Sequence, residues 1–214
     1  MKERTQSFVK AFFERHPDLD CIRSEILKAA DLWTSVLGNG NKILLCGNGG
    51  SCADCDHIAG ELLKGFLLKR PLNQDFQEKL AYYGDFGVEI GSKLQHGLPA
   101  ISLCSHSAPI SAFANDVDGD LVYAQQVYAY GQPGDILVGI STSGNAKNVT
   151  AAMMVAKAKG LHTMALAGRD GGKIGQLADV SVIAPEKETY LIQEYHLAIY
   201  HLLCAMVEYE LFEQ

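Results

Sequence analysis

A chain of 214 residues, 48 % of them apolar and 20 % charged, has the length and composition of one globular domain spanning residues 1–214. Its formal charge of −7 and its scattered Lys and Arg residues argue against nucleic acid as a partner, because neutralising a phosphate backbone requires clustered cations. A small phosphorylated molecule remains a candidate ligand, since backbone N–H groups can hold one phosphate without a positive net charge.

Two features bear on the compartment. The N-terminal stretch mixes charges into its apolar positions, and no apolar run approaches the roughly 20 residues that span a bilayer, so we expect a cytoplasmic protein that does not enter membranes. The cysteines lie in apolar or helical surroundings, which favours reduced thiols over a disulfide framework. They are Cys21, Cys46, Cys52, Cys55, Cys104 and Cys204.

The predicted elements begin with a helical pair over residues 1–38, interrupted at His16 and Pro17. Short apolar runs then alternate with helical patterns. These runs cover residues 42–47, 99–104, 135–141, 162–168 and 180–185. Near-continuous apolar strands between helices indicate a parallel sheet covered on both faces. The predicted fold class is therefore α/β, a doubly wound five-stranded parallel sheet with helices on both faces.

Two segments depart from this alternation. Residues 66–98 are polar and aromatic by turns, with no strand pattern and with a helical stretch around Gln74 to Tyr83. They are either an inserted excursion near a site or a solvated surface lid. Residues 189–212 form a long helix that is apolar on more than one side, which predicts packing into a subunit interface.

The stretch "CGNGGS" follows the first predicted strand, where ligands bind in open parallel sheets. Its glycines, at positions 47, 49 and 50, let the backbone approach an anion, and Ser51 is a suitable N-cap for the helix that follows. The stretch matches neither a Walker loop nor a dinucleotide fingerprint. Alone, it could be a mere tight turn.

A second loop, "GISTSGN", follows the third strand in the same layout, with a helix predicted to begin near Asn145. Ser141, Thr142 and Ser143 place consecutive hydroxyls at a helix N-terminus, where they can donate to one phosphate. Two such loops on one sheet edge favour a sugar-phosphate pocket.

The helix after the first loop carries two further signals. Cys52 and Cys55 form a lone Cys-x-x-Cys pair without the second pair of a zinc site or a thioredoxin context, which favours helix packing. His57 and Glu61, four residues apart, project from one helix face and could share a metal or a substrate. A structural His beside a carboxylate is an equally common explanation.

Partners for them are available on the last helix, where polar residues interrupt the apolar pattern. Gln193 and His201 lie about 80° apart around the helix and about 12 Å apart along it, so long side chains could converge. His196, one turn from Gln193, could do so as well. Spacing alone does not separate the two histidines.

These motifs together resemble a known family. "GNGGS", "HIAGE", "AND", "GISTSGN", "AGRDGGKIGQLAD" and "IQEYHLAIYH", in this order, resemble the sugar isomerase (SIS) domain and, within it, the phosphoheptose isomerases. Apart from the excursion, the resemblance runs from about residue 41 to the C-terminus. It implies a flavodoxin-like sandwich that converts sedoheptulose 7-phosphate into glycero-manno-heptose 7-phosphate.

The resemblance also implies roles for particular residues. A metal ion, usually Zn²⁺ in the family, would be held by His57, Glu61, Gln193 and His201, so the family selects His201 over His196. Glu61 would be the catalytic base and His201 the acid. Members form tetramers that share sites between subunits. Substrate would contact Asn48, Gly49, Gly50, Ser51, Glu61, Asn115, Asp116, Ser141, Thr142, Ser143 and Gln193.

Some positions depart from the family pattern. Leu191 stands where an Arg is usual, Ala146 where a Ser is common, and Gly65 where an Arg is found. The cations available to compensate are Lys64, Lys69 and Arg70. These departures keep other hypotheses open: an SIS enzyme acting on another phosphosugar, or a non-catalytic sensor or replication-initiator scaffold. The presence of the full catalytic set favours the isomerase.

Overall fold

The structure is a computed structural model and describes residues 1–213. The helices are α1 (Glu3–Arg15), α2 (Arg23–Gly38), α3 (Gly50–Leu63), α4 (Gln74–Ala81), α5 (Asp85–Lys93), α6 (Ser107–Phe113), α7 (Val122–Tyr130), α8 (Lys147–Ala158), α9 (Gly172–Leu177) and α10 (Thr189–Phe212). The strands are β1 (Ile43–Gly47), β2 (Ala100–Ser102), β3 (Ile136–Ser141), β4 (His162–Ala167) and β5 (Val180–Ile183). Short 3₁₀ or π turns cover Pro17–Ile22, Ala114–Asp118 and Gly119–Leu121.

The strands form one parallel sheet in the order β2-β1-β3-β4-β5, which confirms the predicted fold class. This order places β1 and β3 side by side at the sheet centre, and Gly47 pairs with Ile140, so the two strands end at the same level. In a doubly wound sheet of this order, the crevice between these two strand ends is where ligands bind.

Both faces of the sheet are covered. Consecutive β1 residues point to opposite sides: Ile43 and Leu45 pack with α1, α2, α3 and α10, whereas Leu44 and Cys46 pack with α7, α8 and α9. This explains why the strands read as continuous apolar runs rather than as alternating ones. Trp33 of α2, fully buried, anchors the first layer.

The long helix α10 has the predicted bounds, and burial within its own chain accounts for much of its apolar character, while its packing into a subunit interface stays a prediction. Its residues from Leu202 to Val207 are all buried within one chain, where α10 packs against α1, α2 and α3. A helix enclosed on several sides by its own chain is apolar all round without a partner subunit. No helix within residues 1–213 is long and apolar enough to cross a membrane.

The excursion contains a helical hairpin. The predicted helix around Gln74 to Tyr83 is α4, and a second helix, α5, packs against it. At the base of the hairpin, an isolated antiparallel bridge joins Pro71 to Gln95.

A buried ion pair attaches the start of this excursion to α10. The Glu208 carboxylate and the Arg70 guanidinium are fully buried, with Nε 2.6 Å from Oε1. Glu208 also accepts hydrogen bonds from the backbone N–H groups of Phe66, Leu67 and Leu68. Arg70 donates to the carbonyls of Leu62 and Glu61 at the end of α3. Both carboxylate oxygens of Glu208 and all three guanidinium nitrogens of Arg70 therefore take part in hydrogen bonds.

Replacing Glu208 with Gln is expected to lower the free energy of unfolding by about 3–5 kcal/mol, because it leaves the Arg70 charge buried and uncompensated. Urea denaturation followed by circular dichroism measures this. Glu14→Gln, which breaks an exposed pair with Lys10, is the control and is expected to change it by less than about 1 kcal/mol. Equal effects of the two substitutions would contradict the assigned role of Glu208.

Candidate functional site

The loop between β1 and α3 turns sharply around glycines. Gly49 has φ +57°, in the left-handed region, and a Cβ at Gly47 would lie 2.7 Å from the Ser51 carbonyl oxygen. The prediction that Ser51 caps α3 was wrong: α3 begins at Gly50 with Gly49 as N-cap, and Ser51 is buried in the first turn. Because Gly49 can adopt a positive φ, the helix begins at Gly50, earlier than it would with Ser51 as its N-cap.

The loop after β3 also turns at a glycine. Gly144 has φ +67° and packs closely on Gly171. A Cβ on Gly144 would lie 2.0 Å from the Gly171 carbonyl oxygen. Helix α8 begins at Lys147, two residues later than predicted. Asn145 stays outside the helix because its side chain donates to the Ser143 carbonyl and accepts from the Lys173 N–H.

The two loops are joined across the crevice. The side-chain amides of Asn48 and Asn148 exchange two hydrogen bonds of 2.9 Å each. Sequence reasoning missed Asn148, which is the second residue of α8. Ser141 is buried and Thr142 and Ser143 are half-buried at this edge, so the predicted hydroxyls line the same crevice as Asn48.

Asn115 and Asp116 lie apart from this arrangement. Both are exposed in the π turn Ala114–Asp118, and Asn115 donates a 2.8 Å hydrogen bond to Asp116. Among residues 1–213 no hydrogen bond links either side chain to the two loops.

Helices α3 and α10 bring the candidate acid–base side chains together. His57 Nε2 lies 3.3 Å from Glu61 Oε1 and 3.4 Å from His201 Nε2. Gln193 faces the loop between β1 and α3 instead: a Cβ on Gly50 would lie 2.2 Å from its Nε2, so any larger residue at this position would require the amide to move. His196 is fully buried and bonds the Ala167 carbonyl at 3.0 Å, away from His57.

Tyr200 and Asp54, which sequence reasoning missed, form a chain of polar contacts to the Nδ1 atom of His57. The Tyr200 hydroxyl lies 2.9 Å from His57 Nδ1 and 3.4 Å from Asp54 Oδ1. Burial raises the pKa of both Asp54 and Tyr200. The available signals were sequence adjacency of Tyr200 to His201 and the spacing of Asp54, three residues before His57 on the same helix.

Charge in the cluster is partly balanced. Lys64 Nζ lies 2.9 Å from Glu61 Oε2, on the side away from His57. Burial lowers the pKa of His201, the neighbouring His57 lowers it further, and Glu61 opposes both. His201 is therefore neutral near pH 7, with a nitrogen lone pair available.

Two of the donor-atom separations match the spacing of ligands that share a metal ion. Nitrogens and carboxylate oxygens that share a tetrahedral Zn²⁺ ion at about 2.0–2.1 Å lie about 3.3 Å apart, close to the two separations measured from His57 Nε2. Within residues 1–213, however, no group of three or more His, Cys, Asp or Glu side chains is placed so that it could hold a metal ion. Any complete donor set must therefore include a residue of another type, such as Gln193, or a side-chain rearrangement.

One departure from the family pattern, Gly65, has a local explanation. A Cβ at Gly65 would lie 2.3 Å from the Leu68 carbonyl oxygen, so no arginine fits there. Arg70 is 1 % exposed and bound to Glu208, and the idea that it compensates for a missing cation was wrong. Two other cations, Arg169 and Lys187, line an open pocket of about 600 Å³ together with Ser143, Asn145 and the carboxylates of Asp170 and Glu188.

A parallel sheet of this order, with two glycine-bearing loops at its central strand ends, defines the chain as an SIS domain. The SIS domain family model matches residues 8–79 and 88–168. The chain is 39 % identical to the phosphoheptose isomerase of a Synechocystis strain, over all of this chain and 94 % of the relative, and 38 % identical to that of Maridesulfovibrio salexigens, over 95 % and 84 %. It belongs to the phosphoheptose isomerase family.

Solved structures agree. The phosphoheptose isomerase from Neisseria gonorrhoeae superposes with a TM-score of 0.73 at 32 % identity, covering 96 % of this chain and 97 % of that one. The phosphoheptose isomerase from Francisella tularensis superposes with a TM-score of 0.73 at 27 % identity, covering 97 % of this chain and 99 % of that one. The NanR protein of Vibrio vulnificus, complexed with ManNAc-6P, gives a TM-score of 0.54 at 15 % identity over 99 % of this chain and 61 % of that one, a likeness of fold alone.

The buried His196 gives the protein a pH-dependent stability. Burial lowers its pKa to about 4, from an ordinary value of 6.5. Its contribution is present above pH 6.5 and is lost as pH falls toward 4, because the unfolded chain binds a proton first.

We expect the free energy of unfolding to fall by up to about 3 kcal/mol through that window on account of His196. His196→Gln should remove this component, measured by urea denaturation at several pH values, whereas the exposed His162→Gln should keep it. A His196→Gln variant with the wild-type pH dependence would show that another group is responsible.

Proposed function

We propose that this chain converts sedoheptulose 7-phosphate into D-glycero-D-manno-heptose 7-phosphate. The observation that carries the proposal is the meeting of His57 and Glu61 of α3 with His201 of α10, in a member of the phosphoheptose isomerase family. An aldose–ketose isomerase needs a base, an acid and an anion site, and these residues supply the first two.

The phosphate would bind at the crevice between β1 and β3. The backbone N–H groups of Gly49 and Gly50 and the Ser141, Thr142 and Ser143 hydroxyls are the donors proposed there, since the Ser51 N–H is bonded to the Asn48 carbonyl. Arg169 and Lys187, beside Ser143, would supply the positive charge that Leu191 and Gly65 do not. Gln193 of α10, whose amide lies against Gly50, would contact the sugar part of the substrate beside this loop.

Proton transfer would run through Glu61 and His201. A carboxylate oxygen of Glu61 removes the proton from C1 of the ketose, and His201 protonates the oxygen on C2 to give the enediol. The same groups then return a proton to C2 and remove one from the oxygen on C1. Lys64 contacts Oε2 of Glu61, so Oε1, the oxygen nearer His57, is the one proposed for this step.

We also propose a divalent metal site at His57, Glu61, Gln193 and His201. The pairwise separations around His57 support it, as does the position of Tyr200: a hydroxyl that donates to Asp54 accepts from His57 Nδ1–H and leaves the Nε2 lone pair facing Glu61 and His201. When bound, such an ion supplies Lewis-acid polarisation of the sugar oxygens.

Assembly belongs to the same proposal. Exposed aromatic residues on the hairpin, Tyr82, Tyr83 and Phe86, support a contact between subunits, and the tetramer of the family is the form we propose. His201 also lines an open pocket of about 470 Å³ with Phe66 and Leu197, which a second subunit could complete.

The activity test uses purified protein with sedoheptulose 7-phosphate as substrate. Glu61→Gln and His201→Ala are expected to lower kcat by about 10²–10⁴-fold each with the fold unchanged, because each removes one partner of the proton transfer. The exposed His162→Gln is the control and should match the wild type.

Failure of the folded, zinc-supplied wild type to convert this sugar would contradict the proposed substrate. Conversion of another ketose or aldose phosphate would then favour a different SIS isomerase. Phosphosugar binding without turnover of any candidate would favour a sensor.

The metal site has a test of its own. Equilibrium dialysis is expected to find about one Zn²⁺ per wild-type chain and a loss of at least about tenfold in affinity for His57→Ala, since a ligand is removed. Tyr200→Phe should bind more weakly than wild type but more tightly than His57→Ala, while His196→Gln should bind as the wild type does. Equal binding by all four proteins would overturn this site.

A further inference from the structure

One pair of side chains bridges the crevice between the ends of β1 and β3. Asn48 follows directly after β1, and Asn148 is the second residue of α8, the helix that follows β3. Asn48 Nδ2 donates to Asn148 Oδ1 and Asn148 Nδ2 donates to Asn48 Oδ1, each at 2.9 Å. We call this closed ring of two hydrogen bonds the amide bridge. Because its two residues are 100 positions apart in the chain, the amide bridge links one glycine loop to the other.

The backbone of α8 fixes the orientation of the Asn148 amide. The Val149 N–H donates to Asn148 Oδ1 at 2.9 Å. A backbone N–H can only donate, so the Asn148 atom that faces it must be the oxygen, and this oxygen has a second lone pair for Asn48. Asn148 Nδ2 must then face the Asn48 oxygen. The first turn of α8 thereby determines how both amides of the bridge are oriented.

The Asn48 backbone is held independently of the bridge, whereas its side chain is not. Tyr123, a buried residue of α7, donates its hydroxyl to the Gly47 carbonyl at 2.6 Å. The Asn48 carbonyl accepts from the Ser51 N–H at 3.1 Å. The Asn48 side chain is exposed, and the Tyr123 hydroxyl lies farther from its Oδ1, at 3.4 Å. Among residues 1–213, Asn148 is therefore the partner that restrains the Asn48 amide, which could otherwise exchange between rotamers.

The amide bridge leaves two hydrogen-bond donors unused. A side-chain amide carries two N–H bonds, and each amide of the bridge gives one of them to the other. Within residues 1–213, the second N–H of Asn48 and that of Asn148 have no acceptor. They belong to the same pair of strand ends as the backbone N–H groups of Gly49 and Gly50. A donor whose orientation is already fixed binds an oxyanion with a smaller loss of conformational entropy.

We propose that Asn148 is a positioning residue for the phosphate-bearing substrate. It holds the Asn48 amide so that the second N–H of Asn48 is oriented for a phosphate oxygen, and it fixes the distance between the two loops. This inference rests on the proposed function, in which the crevice binds phosphate. Within residues 1–213 no hydrogen bond joins the amide bridge to Glu61 or His201, so Asn148 acts on affinity and not on proton transfer.

Binding of inorganic phosphate tests this role without turnover, through the rise in melting temperature of the full-length protein over a phosphate concentration series. We expect Asn148→Ala and Asn48→Ala each to weaken phosphate binding by about threefold to tenfold, the effect of one neutral hydrogen bond. The double variant should bind within about twofold of Asn48→Ala, because Asn148 acts through Asn48. The matched control is Asn39→Ala, exposed at the end of α2 and at the opposite end of β1, which should bind as the wild type does.

Three results of this series would overturn the inference. Single-variant effects that multiply in the double variant would show that Asn148 and Asn48 act independently. Equal binding by Asn148→Ala and the wild type would show that the amide bridge has no role in affinity, and tighter binding would show that it obstructs the crevice. A wild type that phosphate does not stabilise would overturn the anion site and the inference together.

Kinetics with sedoheptulose 7-phosphate distinguish positioning from catalysis. Asn148→Ala should raise KM by about the factor found for phosphate and leave kcat within about twofold of the wild type, because only binding common to substrate and transition state is lost. A fall in kcat with an unchanged KM would contradict the inference. A wild type that binds phosphate but does not convert this sugar would contradict the proposed function alone, and the phosphate series would still decide the role of Asn148.

Discussion

The buried ion pair between Glu208 and Arg70 is the interaction on which the arrangement of this site depends. A fully buried anion is tolerated only when its charge and lone pairs are matched, and here Arg70 and three backbone N–H groups supply the match. Arg70 in turn holds the carbonyls of Glu61 and Leu62. The end of α3 and the C-terminal half of α10 are thereby fixed to one another, and these two helices carry His57, Glu61 and His201.

The sheet contributes the other half of the site by topology. Each glycine loop by itself presents only a few hydrogen-bond donors, so a binding site requires both loops. The β2-β1-β3-β4-β5 order sets the two loops side by side, and the paired amides of Asn48 and Asn148 close the gap between them. Gly50 then admits Gln193 of α10 to the edge of the same crevice, so the proposed phosphate site and the proposed acid–base residues share one helix, α3.

Helix α3 has different chemistry on its two sides. Toward α10 it presents His57 and Glu61, backed by Tyr200 and Asp54. Its opposite side carries Cys52 and Cys55, of which Cys55 is fully buried in the core.

The sequence by itself determined the fold class and most element bounds, including those of α10, because apolar runs and helical periodicity are local consequences of burial. It also paired His57 with Glu61, since i and i+4 lie on one helix face. It did not separate His196 from His201, and the family resemblance made that choice. Only the tertiary structure turns His196 toward the Ala167 carbonyl and His201 toward His57, because packing against distant elements decides which face of α10 meets α3. Asp54 and Tyr200, the burial of Arg70, and the cap at Gly49 escaped prediction for the same reason: each depends on contacts or backbone angles that no local pattern encodes.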